Sequence, residues 1–319
     1  MSLRPKVFPK VFQGSKKVTL LKKPIIALGV FDGVHQGHQA IFQQLQRRAQ
    51  EVEGTAAVYT FDPHPVKVLA PHVAPPMLNS ITQRVTLIQQ QGIPVIIVEP
   101  FTHHFSQQTP EKFFKDVILK RLRASELFVG YNFTFGIHRS GTVDHLRKFG
   151  RDAGVVVHIL SPFFQNEILV SSTQVRQLII RGLLSQAEAL LGRPYFMEGK
   201  VVRGKGVGGK KLGVHTANLK SDNDLLLPTG VYVTKTFIKG KKFKSVTNIG
   251  PNPTFGPHPV SIETHLLDVK KSLLGQKIHI EFLKKLREEI KFSSPSALAT
   301  QIQKDLVSTR DYFKKRGLT

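Results

Sequence analysis

The sequence predicts two domains, an open α/β sheet followed by a small antiparallel barrel or sandwich. Three observations lead there. The chain runs to 319 residues, longer than one hydrophobic core usually serves. Its first half alternates apolar runs of strand length with amphipathic helical stretches, the rhythm of a parallel sheet wound with right-handed crossovers. From about residue 197 the chain changes to alternating segments separated by Gly and Lys turns, which suits an all-β unit. Between the two, "LLGRPYF" (190–196) breaks the helical pattern, so the domains are drawn at 1–190 and 191–319.

The elements follow in order. "PIIALGV" (24–30), "TAAVYTF" (55–61), "PVIIVEPF" (94–101), "ELFVG" (126–130) and "VVVHIL" (155–160) read as strands. Their nearly unbroken apolar character implies burial on both faces. Between the first two, Ile41, Leu45, Ala49 and Val52 recur at helical spacing. Ser80 and Gln83 form a capping box for a helix over 81–91. Thr109 and Pro110 start another, with Phe113, Phe114, Val117 and Ile118 as its apolar face. In the second half "MEGKVVRG", "GVYVTKTFIKGKKFKSVTNIG", "SIETHLLD" and "KIHIEFLKKL" are strand-like, and "KGKK" (239–242) closes a hairpin. A last helix has Ser294 as N-cap, Pro295 in its first turn, and Leu298, Ile302 and Leu306 on one face.

Composition narrows the function classes. Hydrophobic residues make up 40% of the chain, as in folded globular proteins. Cys is absent, which excludes disulfides, thiol catalysis and Cys-ligated zinc, and suits the cytoplasmic location expected here. No run approaches the ~20 apolar residues of a membrane span, and "MSLRPKVFPKVFQGSKK" has no apolar segment of a secretory signal. The net charge of +24 favours polyanionic ligands. The lysine-rich stretches do not interleave aromatics as a base-stacking surface does. Small anionic substrates are therefore expected as partners, nucleic acid and membrane are not, and the chain is expected to be a monomer or weak homo-oligomer.

The stretch "GVFDGVHQGHQAIF" (29–42) carries the first chemistry. A buried strand delivers it to the carboxyl edge of the sheet, where open α/β proteins bind ligands. Gly29 and Gly33 let backbone approach a ligand closely. A helix starting near Gln36 or Gly37 aims free N–H groups and its positive dipole end at the same place. His35 and His38 add donors that carry charge near neutral pH. Such a site suits the charge that develops when a nucleotide α-phosphate is attacked and pyrophosphate leaves. Local capping by each histidine is the plainer alternative. A zinc site is disfavoured, because no carboxylate partner stands nearby and the spacing lacks a metalloprotease Glu.

Two further stretches invite phosphate. In "SSTQVR" (171–176), Ser171, Ser172 and Thr173 cap a helix carrying Val175 and Leu178, and Gly182 ends it. With Arg176 this makes a clamp for phosphate oxygens. "GKGVGGKKLGVHTANL" (204–219) contains G-x-G-x-x-G, and Lys211 stands where a P-loop has Ser or Thr. Both fingerprints must open a helix, and Gly213, Val214 and Thr216 show no helical pattern. The glycines and lysines can still wrap an anionic tail. In "SIETHLLD", alternation puts Glu263 and His265 on one face and Ile262, Thr264 and Leu266 on the other.

These stretches together resemble a known family. "GVFDGVHQGH" resembles the HxGH signature of nucleotidylyltransferases, and in particular the FMN adenylyltransferase module of bacterial bifunctional riboflavin kinase/FAD synthetases. "TFDPHP" (60–65), "VGYNFTFGIHRSG" (129–141) and "SSTQVR" follow in that family's order. "KKLGVHTANL" resembles its riboflavin kinase G-x-P-T-A-N motif. "VTNIGPNPTFG" (246–256), "SIETHLLD" and "EFLKKLREEIKF" (281–292) resemble its later segments. The likeness runs from about residue 24 to 313. Asn132 stands where the family usually has Asp, and His215 where it has Pro.

The resemblance implies an HxGH Rossmann-like domain and a riboflavin kinase β-barrel with a terminal helix. It implies Mg²⁺-dependent transfer of phosphate from ATP to riboflavin, then of AMP from ATP to FMN, giving FAD. His35 and His38 would serve adenylyl transfer, and Glu263 would be the base of the kinase. Nucleotide and phosphate contacts are implied at Gly29, Phe31, Gly33, Gly37, Asn132, Ser172, Thr173 and Arg176. In the kinase they are implied at Gly206, Lys211, Gly213, Thr216 and Asn218, with Thr216 and Asn218 also at the metal. Flavin contacts are implied at Asp62, His64, Asn248 and Arg287. Retention of only one activity, flavin storage without turnover, and nucleic-acid binding on a nucleotide-binding fold are the alternatives.

Overall fold

The structure is a computed structural model that describes residues 9–203, 216–251, 260–269 and 273–317. It divides into two compact units, Met1–Ser172 and Thr173–Thr319.

The first unit is a six-stranded, wholly parallel sheet. Its strands are β1 (Lys10–Gln13), β2 (Pro24–Leu28), β3 (Thr55–Asp62), β4 (Val95–Pro100), β5 (Glu126–Gly130) and β6 (Val156–Leu160). Their spatial order is β1-β4-β3-β2-β5-β6. The inner strands are almost entirely buried, which explains their unbroken apolar runs. Both edges differ from expectation. β1 is short and largely exposed, so "KVFQ" carries no strand signal. β6 was read as a buried run, yet Val156 is 50% exposed, because an edge strand has a neighbour on one side only.

Two of the first unit's helices start at the capping residues read from the sequence, Ser80 and Thr109, and a third starts at Gln36 as expected. The helices are α1 (Gln36–Glu51), α2 (Pro65–Leu69), α3 (Ile81–Gln90), α4 (His103–Ser106), α5 (Pro110–Phe113) and α6 (Val143–Ala153). α5 runs on as a π-helix over Phe114–Arg121. Both halves of the Ser80–Gln83 capping box form on α3, and Thr109 caps α5 with Pro110 following. On α1 the buried stripe is Phe42, Leu45 and Ala49, with Ile41 only half buried. A short hairpin, β7 (Phe164–Gln165) with β8 (Ile168–Leu169), precedes α7 (Ser172–Ile180). From β2 the chain proceeds to β3 on one side and returns after β4 to place β5 on the other. The strand order therefore reverses between β2 and β5, and in open α/β sheets ligands bind at the carboxyl ends beside such a reversal.

In the second unit, α7 and α8 (Leu184–Leu191) lead into a closed barrel rather than a sandwich. Its strands are β9 (Tyr195–Val202), β10 (Thr216–Ser221), β11 (Gly230–Ile238), β12 (Lys241–Pro251), β13 (Val260–Leu266) and β14 (Lys277–Arg287). All its pairings are antiparallel, in the order β10-β13-β12-β11-β14-β9. The "KGKK" turn is a two-residue loop with φ of 49° at Lys239 and 78° at Gly240, the left-handed pair a tight hairpin requires. The interior is partly polar. Thr236, Ser245, Thr234, Thr247 and Thr264 are fully buried and joined hydroxyl to hydroxyl at 2.8–2.9 Å. Each satisfies its neighbour, so the chain of hydroxyls escapes the cost of unpaired buried polar groups. The last helix, α9 (Pro295–Lys315), begins at the Ser294 cap and packs on β11 and β12.

On the outer face of the barrel, His279 Nδ1 lies 2.9 Å from Glu198 Oε1, and its ring stacks on Phe196. Burial alone would lower the His279 pKa. The hydrogen bond to Glu198 and the nearby Glu281 outweigh it, so the net shift is upward from 6.5. A raised histidine adds stability that is fully present below its unfolded pKa and is lost as pH rises through the folded one. His279→Gln is therefore expected to lower the melting temperature most below about pH 6 and least near pH 9. Thermal unfolding of both proteins across that range checks it.

Candidate active sites

The first site is built on the turn that leaves β2. Gly29 still belongs to the sheet, its N–H donating to the Tyr59 carbonyl at 3.1 Å. Phe31, Gly33 and Val34 then adopt φ of 56°, 84° and 41°. A β-branched residue is strained there, and complete burial of Val34 holds it in place. Asp32 anchors the turn. Its buried carboxylate accepts the N–H groups of Leu78 at 3.1 Å and Asn79 at 3.3 Å, and its carbonyl accepts the Ser172 hydroxyl at 2.8 Å.

His35 is the N-cap of α1, and its Nδ1 accepts the His38 N–H at 3.4 Å. An accepting Nδ1 leaves the ring proton on Nε2. The His38 ring stacks on His35 with centroids 3.6 Å apart and meets Phe31 edge-on at 5.2 Å. Local capping and a shared histidine site thus coincide in one turn. Gly29 admits no side chain, since a Cβ would lie 2.8 Å from the Phe31 ring. At Gly37 a Cβ would come within 3.2 Å of the His35 ring.

Other expected residues of the first unit, Asp62, His64 and Asn132, lie at the same edge of the sheet. Asp62 ends β3 and is exposed. His64 caps α2, its Nδ1 accepting the Val66 N–H at 3.1 Å. Asn132 lies just past β5, which neighbours β2. Thr173 and the buried Arg176 continue α7 within the second unit. The sequence reading missed an aromatic row beside Asp62. Phe61, Phe101, Phe105, Phe113 and Phe135 touch in series with centroids 5.6–6.1 Å apart. Its signal lay in "FTHHF" and "NFTF", phenylalanines that follow β4 and β5 directly.

The second site lies on the outer face of the barrel. Asn218, Glu263 and Asn248 stand directly opposite one another on β10, β13 and β12. Ile262, Thr264 and Leu266 face the interior and are buried, so the alternation expected for this strand is observed. The Thr216 hydroxyl donates to Glu263 Oε2 at 3.5 Å. Thr216, Asn248, Glu263, His265 and Arg287 line one cavity of about 340 Å³. Val231, Val246, Ile290, Phe292, Leu298 and Ile302 form its apolar wall. Leu298 and Ile302, read in the sequence as one face of the last helix, line this cavity. Burial raises the pKa of Glu289, which also lines it, against the lowering influence of Arg287. Gly206, Lys211, Gly213 and His215 lie outside the described residues.

Arg287 is oriented by Asp305 of α9, with Nε–Oδ1 3.0 Å and Nη2–Oδ2 2.7 Å. This two-pronged pair fixes the guanidinium plane. Among the described residues no group of three or more His, Cys, Asp or Glu is placed to hold a metal ion, and no helix is long and apolar enough to cross a membrane.

The FAD synthetase family matches residues 18–174, and the riboflavin kinase family matches residues 191–313. The bifunctional riboflavin kinase/FMN adenylyltransferase of Escherichia coli K12 is 33% identical over 296 residues, covering 92% of this chain and 93% of the relative. Its Bacillus subtilis counterpart is also 33% identical, covering 91% and 93%. A solved structure from Streptococcus pneumoniae, described as a macrolide-efflux protein, superimposes with a TM-score of 0.83 at 26% identity, covering 95% of this chain and 98% of its own.

Asp305→Ala removes the ion-pair partner of the Arg287 side chain, which is only 18% exposed. Removing one partner of a largely buried pair is expected to cost about 3 kcal/mol. Denaturant unfolding of the variant beside the unchanged chain measures that loss.

Proposed function

The chain belongs to the bifunctional riboflavin kinase/FMN adenylyltransferase family, and we infer from this membership that it makes FAD from riboflavin in two transfers. The first moves the γ-phosphoryl of ATP to riboflavin and gives FMN. The second moves AMP from ATP to FMN and releases pyrophosphate. The observation that carries this reading is the convergence of Thr216, Asn248 and Glu263 from three strands on one partly apolar cavity, with Asn218 directly opposite Glu263.

In the kinase half, the apolar wall takes a flat ring and Glu263 accepts the proton of the attacking ribityl hydroxyl. Arg287, held by Asp305, contacts the flavin, as does Asn248. Gly206, Lys211 and Gly213 wrap the ATP phosphates. Thr216, Asn218 and Glu263 offer the hard oxygen donors that Mg²⁺ selects when phosphates complete its shell. Thr216 and Asn218 would hold that ion, which would supply neutralisation of phosphate charge. The remaining work is positioning.

In the adenylyltransferase half, His35, His38 and the amino end of α1 face the charge that develops on the α-phosphate. Gly29, Gly33 and Gly37 let the nucleotide approach the backbone. Ser172, Thr173 and Arg176 hold the departing phosphates, Asn132 contacts the nucleotide, and Asp62 and His64 contact FMN. We place the functional boundary at 190, between the spans of the two family matches. A cytoplasmic location fits a chain without Cys, which has no disulfide to form.

Two variants separate the halves. His38→Ala is expected to lower FAD formation by roughly a hundredfold or more, through loss of a transition-state donor, and to leave FMN formation unchanged. Glu263→Gln is expected to slow FMN formation by roughly a hundred- to ten-thousandfold and to spare FAD formation from supplied FMN. Chromatography of both products after incubation with riboflavin, ATP and Mg²⁺ reads all four rates. Equal loss of both activities in either variant would contradict the assignment.

A further inference from the structure

Beyond Leu28 and Tyr59 the ladder between β2 and β3 stops, because the chain of β2 turns away while β3 continues to Asp62. Two carbonyls are left where the ladder would have run, those of Val30 and Phe61. Arg84 of α3 fills the gap. Its guanidinium donates from Nη1 to the Val30 carbonyl at 2.9 Å and from Nη2 to the Phe61 carbonyl at 2.7 Å. Arg84 is 3% exposed. No carboxylate lies within ion-pair distance of it among the described residues. Asp32 and Asp62 act on it only from beyond that distance, and burying a cation is costly where no direct ion pair repays it.

The Val30 carbonyl is gripped twice, since the Thr60 hydroxyl also donates to it at 2.9 Å. A trans peptide is planar, with N–H and C=O pointing opposite ways. Fixing the Val30 carbonyl toward α3 therefore turns the Phe31 N–H away from it. Phe31 is 3% exposed, and its N–H meets no acceptor among the described residues. A backbone N–H in a buried residue calls for a partner. The next residues in the chain are the turn that carries His35 and His38.

We propose that Arg84 is a positioning residue for adenylyl transfer, which locks the Val30–Phe31 peptide so that the Phe31 N–H serves as a fixed donor to the nucleotide phosphate. The proposal rests on the adenylyltransferase reading of this site. Arg84 touches neither substrate. It acts through one peptide plane, shared with Thr60.

The test compares Arg84→Met, Arg84→Lys, Thr60→Val and the Arg84→Met/Thr60→Val double variant in the full chain. FAD formation from FMN and ATP is measured under steady state. FMN formation from riboflavin on the same preparation reports whether the chain is intact. Arg84→Met is expected to lower kcat for FAD formation by about 10- to 100-fold, with a smaller change in KM for ATP, since a misplaced donor fails mostly in the transition state. Arg84→Lys, which keeps the charge and one hydrogen bond, is expected to recover part of that loss. Thr60→Val is expected to lose less, and the double variant to lose less than the product of the single losses, because both residues hold one carbonyl.

A kcat within about twofold of the unchanged chain in Arg84→Met would overturn the proposal. So would an equal fall in FMN formation, which marks general unfolding. If Arg84→Met does not fold, Arg84→Lys and Thr60→Val decide by the same criterion. Failure of the unchanged chain to form FAD would instead defeat the adenylyltransferase reading itself.

Discussion

Past Leu28 the chain of β2 leaves the sheet while β3 runs on beside it to Asp62, and this parting creates the first site. It leaves backbone groups that no strand can satisfy. Arg84 and Thr60 take the carbonyls, while Asp32 takes the N–H groups of Leu78 and Asn79. Only with those debts settled can Phe31 and Val34 remain at positive φ. That backbone in turn brings His35 to the N-cap of α1 and stacks His38 on it. The histidines are the conspicuous part of the site. Their placement follows from buried polar groups that lie beneath them.

The barrel reaches a comparable result through register. A pleated strand shows alternate residues to opposite faces, so one parity sends Ile262, Thr264 and Leu266 inward and Glu263 and His265 outward. Pairing of β13 with β10 and β12 then sets Asn218 and Asn248 on either side of Glu263. A slip by one residue would exchange the two faces. The interior hydroxyl chain, in which Thr264 bonds Thr247 and Thr247 bonds Thr234, ties β13 to β12 and β12 to β11 in that register.

Much of this was legible in the sequence, for particular reasons. The buried strands read as apolar runs because both their faces are covered. The caps at Ser80, Thr109 and Ser294 act through their own neighbours, so short-range spacing exposes them. Glu263 and His265 were placed by parity alone. What stayed hidden depends on distant partners. Arg84 reads as an ordinary helical arginine, since the carbonyls it bonds lie far along the chain. β1 is too short and polar to announce itself. Leu298 and Ile302 have the spacing of core residues, and only the closed barrel shows that they line a cavity. A barrel and a sandwich share one strand pattern until β9 and β10 pair.

Two sites on one chain draw different groups from two molecules of ATP, the γ-phosphoryl from one and AMP from the other. The most direct measurement uses ATP labelled either at the γ- or at the α-phosphorus, with riboflavin as the only flavin supplied. Label from the γ-position is predicted to appear in FMN and to persist in FAD, while label from the α-position is predicted in FAD alone. FAD without α-label, or FMN without γ-label, would contradict the account.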